Sequence, residues 1–153
     1  MNAKRKRSRK RSAASSKRPR KNKEHIFYID EGIGAHVVSG ALRDAGAKVE
    51  TANNALYSGV PDEEWIKYVG KNKRLAITKD KRLRHREIEI RAIKKYKAKI
   101  FRFTSGNMSG KEMAEIAVKA IGKMEKYADK YSGPFVVSLT KGGKLSPLSK
   151  IMD

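Results

Sequence analysis

Four short apolar runs, at residues 26–30, 74–78, 99–103 and 135–139, and a weaker one at 48–51, alternate with longer stretches of helical apolar spacing. Runs of four or five residues bounded by polar segments read as buried strands rather than helices. Parallel strands need a crossover, and the crossover helices cover the faces of the sheet. The order βαβαβαβαβ therefore predicts a three-layer α/β fold, with a mostly parallel central sheet of about five strands and helices on both faces. Periodicity does not fix the strand order.

The segments between the runs carry their own signals. Residues 35–45 place Val37, Val38, Ala41 and Leu42 on one side, and Gly46 suits a helix stop. A polar loop is expected from there to Val60, apart from the weak strand. Pro61 then fits the first turn of a helix with Asp62, Glu63 and Glu64 at its positive end and Trp65, Ile66 and Val69 inward. Residues 86–97 give a further helix with Ile90, Ile93 and Tyr96 on one side. Ser109 and Glu112 form a capping box ahead of a long helix whose face is Met113, Ile116, Ala117, Ala120, Ile121, Met124 and Tyr127. Lys141-Gly-Gly-Lys144 looks like a hairpin turn, with looser chain from about residue 146.

Charge adds a partner. The chain carries 37 Lys+Arg against 16 Asp+Glu, a net charge of +21, which points to a polyanion such as RNA. Twelve of those basic residues fall within residues 1–23, where there is no acid and no large apolar side chain beyond Met1. Residues 1–24 are therefore expected to be a disordered basic tail. Residues 25–139 form the domain, and 140–153 a C-terminal hairpin and tail. No cysteine is present, which excludes disulfides and thiolate metal sites. No run reaches the roughly 18 apolar residues of a membrane span. A soluble, cytoplasmic protein with no membrane partner is expected.

Against that basic background, two strands lead into aspartates, Asp30 and Asp80. Ligands of open α/β sheets bind at the carboxyl ends of the strands. Asp62, at a helix start, can join them. Two carboxylates about 4 Å apart repel by about 4 kcal/mol at an effective dielectric of about 20. A divalent cation removes that repulsion, and an all-oxygen donor set suits Mg²⁺ or Mn²⁺. Each acid has a plainer role open to it: Asp62 as a helix cap, Asp80 as a turn residue. Lys79, Lys81, Arg82, Arg84, His85 and Arg86 surround Asp80, with Lys79, Arg82 and Arg84 candidates for phosphate contacts or simply a solvated basic loop. Ser105 and Asn107 precede a helix start that can hold an anion or merely shape the turn. His36 is expected within the first helix, with a structural or exposed role. His25 borders the tail.

Taken in order, these segments resemble a known family. Ile-Phe-Tyr-Ile-Asp30-Glu31, the helix ending Ala-Leu-Arg-Asp-Ala-Gly46, Pro-Asp62-Glu-Glu-Trp65-Ile and Leu-Ala-Ile-Thr-Lys-Asp80 are similar to the successive motifs of PIN-like domains. Phe103-Thr-Ser-Gly-Asn107 resembles the corresponding strand end in the VapC-type toxin branch. The resemblance spans about residues 26 to 139. It implies a metal-dependent endoribonuclease using Mg²⁺ or Mn²⁺, with Asp30, Asp62 and Asp80 as catalytic acids and metal ligands. A glutamate usual between the first two acids has no match in residues 46–60, where Glu50 falls in a strand; Glu31 or Glu63 can compensate. The implied partners are RNA, an antitoxin protein and a second copy of the chain. Two other functions fit the same residues. One is a noncatalytic RNA-binding protein with a degenerate site. The other is a receiver-like phosphoacceptor domain built on Asp30, Glu31, Asp80, Thr104 and Lys141.

Overall fold

The computed structural model describes residues 24–34, 36–83, 85–104 and 107–147. The expected basic tail, apart from Glu24, lies outside the described residues, as do Arg84, Ser105 and residues 148–153. Strands β1 (Ile26–Ile29), β2 (Lys48–Thr51), β3 (Leu75–Thr78), β4 (Lys99–Phe103), β5 (Phe135–Leu139) and β6 (Leu145–Pro147) make one sheet in the order β2-β1-β3-β4-β5-β6. The first five pair in parallel, and β6 closes the edge antiparallel to β5. Helices α1 (Val37–Asp44), α2 (Ala52–Ala55), α3 (Asp62–Lys71), α4 (Glu87–Tyr96) and α5 (Gly110–Lys130) connect them.

Side chains alternate across the pleat and feed two cores. Phe27 and Ile29 of β1 face the core under α1 and α5, with Leu75, Ile77, Phe101, Phe103, Val38, Leu42, Met113 and Met124. Tyr28, between them in sequence, faces the opposite core with Ala76, Ile100, Val136 and the inward face of α3 and α4. There the Tyr28 and Trp65 rings stack with centroids 5.7 Å apart. Each fully buried large apolar side chain contributes about 1.5–3 kcal/mol. Because both faces are covered, β3 and β5 are buried at every position, as their unbroken apolar runs require.

Three local expectations change. The segment after β2 is not all loop: α2 forms because the Thr51 and Asn54 side chains make a reciprocal capping box at its start. His36 stands just outside α1, as its N-cap, rather than within it. Residues 145–147 are paired as β6 rather than loose, since Leu145 and Pro147 lie opposite Leu139 and Val137.

From β1 the chain crosses to β2 on one side, then returns to place β3 on the other side of β1. The direction of winding thus reverses between β1 and β3, which opens a crevice at their carboxyl ends. Where α3 packs on α4, Gly70 admits no side chain: a Cβ there would collide with the Tyr96 carbonyl oxygen. Gly70→Ala should therefore cost about 2 kcal/mol, read as a lower urea midpoint. An unchanged midpoint would mean that the two helices part there without cost.

Candidate active site

Asp30 follows β1 directly, and its N–H donates to the Ile77 carbonyl of β3 (2.9 Å), extending the β1–β3 pairing by one bond. That bond fixes where the Asp30 side chain leaves the sheet. The buried Thr78 hydroxyl donates to Asp30 Oδ2 at 2.7 Å and accepts the Asp80 N–H at 3.1 Å. One hydroxyl therefore ties both strand-end aspartates together. Asp80 Oδ1 then accepts the Arg82 N–H at 2.9 Å, so its turn role and its place at the site coexist.

Asp62 opens α3 and reaches the same edge, because a helix leading into a parallel strand begins at the carboxyl side of the sheet. It does not cap that helix through its side chain: Pro61 is the N-cap, and Asp62 Oδ1 accepts from Trp65 Nε1 at 2.9 Å. Its Oδ2 lies 3.5 Å from Arg86 Nη1. Glu31 accepts the Ser58 hydroxyl and the Gly59 N–H, both at 2.8 Å, and these bonds hold its carboxyl below the usual range.

Asp30, Glu31, Asp62 and Asp80 line one open cleft of about 680 Å³ together with Lys79, Lys81 and Arg82. The electrostatics follow from that grouping. Burial raises the Asp30 carboxyl to about 6, the charges of Asp62 and Asp80 add to the rise, and bonds from Thr78 and Gly32 oppose it. Arg82 pairs with Asp80 at 3.6 Å, but it is largely exposed and the pair is worth little.

Other expected residues lie elsewhere. Glu63 is exposed and does not line the cleft, and neither do Asn107 or His85. Arg86 turns inward to Asp62 and Glu89. The phosphoacceptor alternative is not supported geometrically, since Thr104 and Lys141 do not line the cleft. Glu89 was missed from sequence. It is buried in the first turn of α4, bonded to Arg86 at 2.9 Å, and burial with the Asp62 charge raises its carboxyl. Its signal was an acid one turn before Ile93, on the apolar face of the helix.

Among the described residues no three His, Asp or Glu side chains close to metal-holding spacing. The donor chemistry nevertheless suits a hard cation. All the acidic lining groups are oxygen donors, and burial, with repulsion from Asp62 and Asp80 added, already raises Asp30. Mg²⁺ commonly takes only one or two protein carboxylates and keeps several waters.

The chain belongs to the PIN-like domain family, whose description, PIN like domain, matches residues 26–105. That span covers β1 through the end of β4 and includes every acid of the cleft. The chain is also similar to the Mycobacterium tuberculosis (strain ATCC 25618 / H37Rv) protein named "Putative ribonuclease VapC45". The two are 24% identical over 120 residues, covering 76% of this chain and 86% of that one. No solved structure matches. Among the described residues no helix is long and apolar enough to cross a membrane.

The raised Asp30 carboxyl has a measurable consequence without metal. Its folded value of about 6 exceeds the ordinary 3.8, so its contribution is fully present below about pH 4 and is lost as pH rises through 6. Asp30→Asn lacks this slope. Its stability relative to the parent should grow between pH 4 and 7 by on the order of 2 kcal/mol, allowing for partial exposure to water. Thermal melts across that range check it; parallel curves for the two proteins would contradict it.

Proposed function

We propose that the chain is an endoribonuclease that hydrolyses RNA phosphodiester bonds at this cleft with Mg²⁺ or Mn²⁺. The observation that carries this is the gathering of Asp30, Glu31, Asp62 and Asp80 beside Lys79, Lys81 and Arg82 at the β1–β3 crevice. The family and the similarity to a ribonuclease-named relative support it. By the same similarity, it acts as the toxin of a toxin–antitoxin pair in the cytoplasm, held in check by an antitoxin protein and able to form a homodimer.

Asp30 is the leading candidate to hold the cation, with Asp80 and Asp62 completing its carboxylate surroundings and Glu31 at the rim. A divalent cation there supplies Lewis-acid polarisation of a phosphoryl oxygen. The chain's own groups do the rest. Thr78 keeps the Asp30 carboxylate turned into the cleft, and Trp65 and Arg86 hold Asp62 at its wall. Lys79, Lys81 and Arg82 receive the negative phosphates on either side of the bond being cut and offset charge as it develops. Arg84, Ser105 and Asn107 remain candidates for contacts farther along the strand, and Glu63 for a ligand only if its side chain turns inward.

A second function, RNA binding without cleavage, is favoured by the fact that each acid already has a protein partner and no three of them close on a cation. One assay separates the two. Purified protein with Mn²⁺ should cut RNA, chelation should stop it, and Asp30→Asn or Asp80→Asn should each lower the rate about 100-fold or more. Intact RNA with the parent, but salt-sensitive binding, would leave the noncatalytic function standing.

A further inference from the structure

A second cavity, of about 380 Å³, opens at the carboxyl ends of β1 and β2. Glu31 lines both this cavity and the acidic cleft, so the two adjoin across a single residue. Its lining also includes side chains of a different kind, among them His36, Arg43, Asn53 and Asn54.

Two of these side chains stand where local physics favours another residue. His36 is the N-cap of α1 and makes no capping bond, at a position where Ser, Thr, Asp or Asn would stabilise the helix. Asn53 sits inside α2, and Asn is a poor helix former. Its neighbour Asn54 is explained, since its Oδ1 accepts the Thr51 N–H at 2.8 Å. Asn53 is exposed and makes no comparable bond among the described residues. Positions that depart from the local optimum concentrate at functional sites, and these two line the same cavity. The capping box anchors α2 and with it Asn53, and Arg43 is held by its Nη2, which donates to the Val49 carbonyl at 3.1 Å.

We propose that this cavity receives one unpaired ribonucleotide of the RNA strand that crosses the acidic cleft, and so sets which sequence is cut. The Asn53 amide reads the edge of the base, the His36 ring packs against its face, and Arg43 meets a phosphate. An amide, an imidazole and a guanidinium are the side chains that recognise splayed single-stranded bases. The assignment of RNA rests on the ribonuclease function proposed above; the cavity's selectivity does not depend on cleavage.

The test is a titration of the ¹⁵N-labelled full chain, without divalent metal, with each of the four ribonucleoside 5′-monophosphates. Saturable shifts are expected at the His36, Arg43 and Asn53 amides, strongest for one base. Asn53→Ala should weaken that binding about 10-fold. Asn53→Ala and His36→Ser should melt at or above the parent temperature, because each restores a locally favoured residue. The proposal is overturned by no saturable shift at these residues with any nucleotide, by binding that both substitutions leave unchanged, or by a lower melting temperature in both variants. Nucleotide binding here by a parent that cuts no RNA would remove the ribonuclease function and keep the subsite. RNA cleavage with the same flanking-base preference in parent and Asn53→Ala would do the reverse.

Discussion

The pairing of β1 with β3 is the constraint on which the site depends. Phe27, Tyr28 and Ile29 lie opposite Leu75, Ala76 and Ile77, and the next bond, from Asp30 N–H to the Ile77 carbonyl, carries the register past the end of the strand. A shift of one residue would turn every side chain to the other face. Asp30 would then lose the Thr78 hydroxyl, and Thr78 could not link Asp30 to Asp80. The two buried cores hold that register, so the geometry of the acidic cleft rests on Phe27, Tyr28 and Ile29 as much as on the acids.

Charge explains why such a site sits in so basic a chain. Asp30, Asp62 and Asp80 are partly buried and repel one another, and burial first, then that repulsion, shows in the raised Asp30 carboxyl. Lys79, Lys81 and Arg82 rim the same cleft without forming close pairs with all of its acids. The proposed function would use both signs of charge, the carboxylates for a cation and the basic groups for a polyanion. Glu31 stands at the boundary, bonded to Ser58 and Gly59, and faces both the cleft and the neighbouring polar cavity.

Much of this was legible in the sequence where a single period dominates. The β4 and β5 bounds and the buried face of α3 follow directly from apolar spacing, whereas Asp30 and Asp80 meet only because β1 and β3 are neighbours, which periodicity does not fix. What was hidden depends on contacts between distant residues. The short helix α2 rests on a capping box inside a segment rich in polar residues, which reads as loop. The role of Thr78 could not be seen without the β1–β3 register. The burial of Glu89 depends on Arg86 folding back over it, and Glu63, adjacent to Asp62 in sequence, points away from the site because helical neighbours diverge by about 100°.

The most direct measurement is of the cation itself. Titration of the full chain with Mn²⁺, followed by the loss of the free-ion electron paramagnetic resonance signal at pH 7.5, should show saturable binding that Asp30→Asn abolishes and Glu63→Gln leaves intact. Equal Mn²⁺ binding by the parent and Asp30→Asn would contradict the central claim that the carboxylates gathered at the β1–β3 crevice form the metal site.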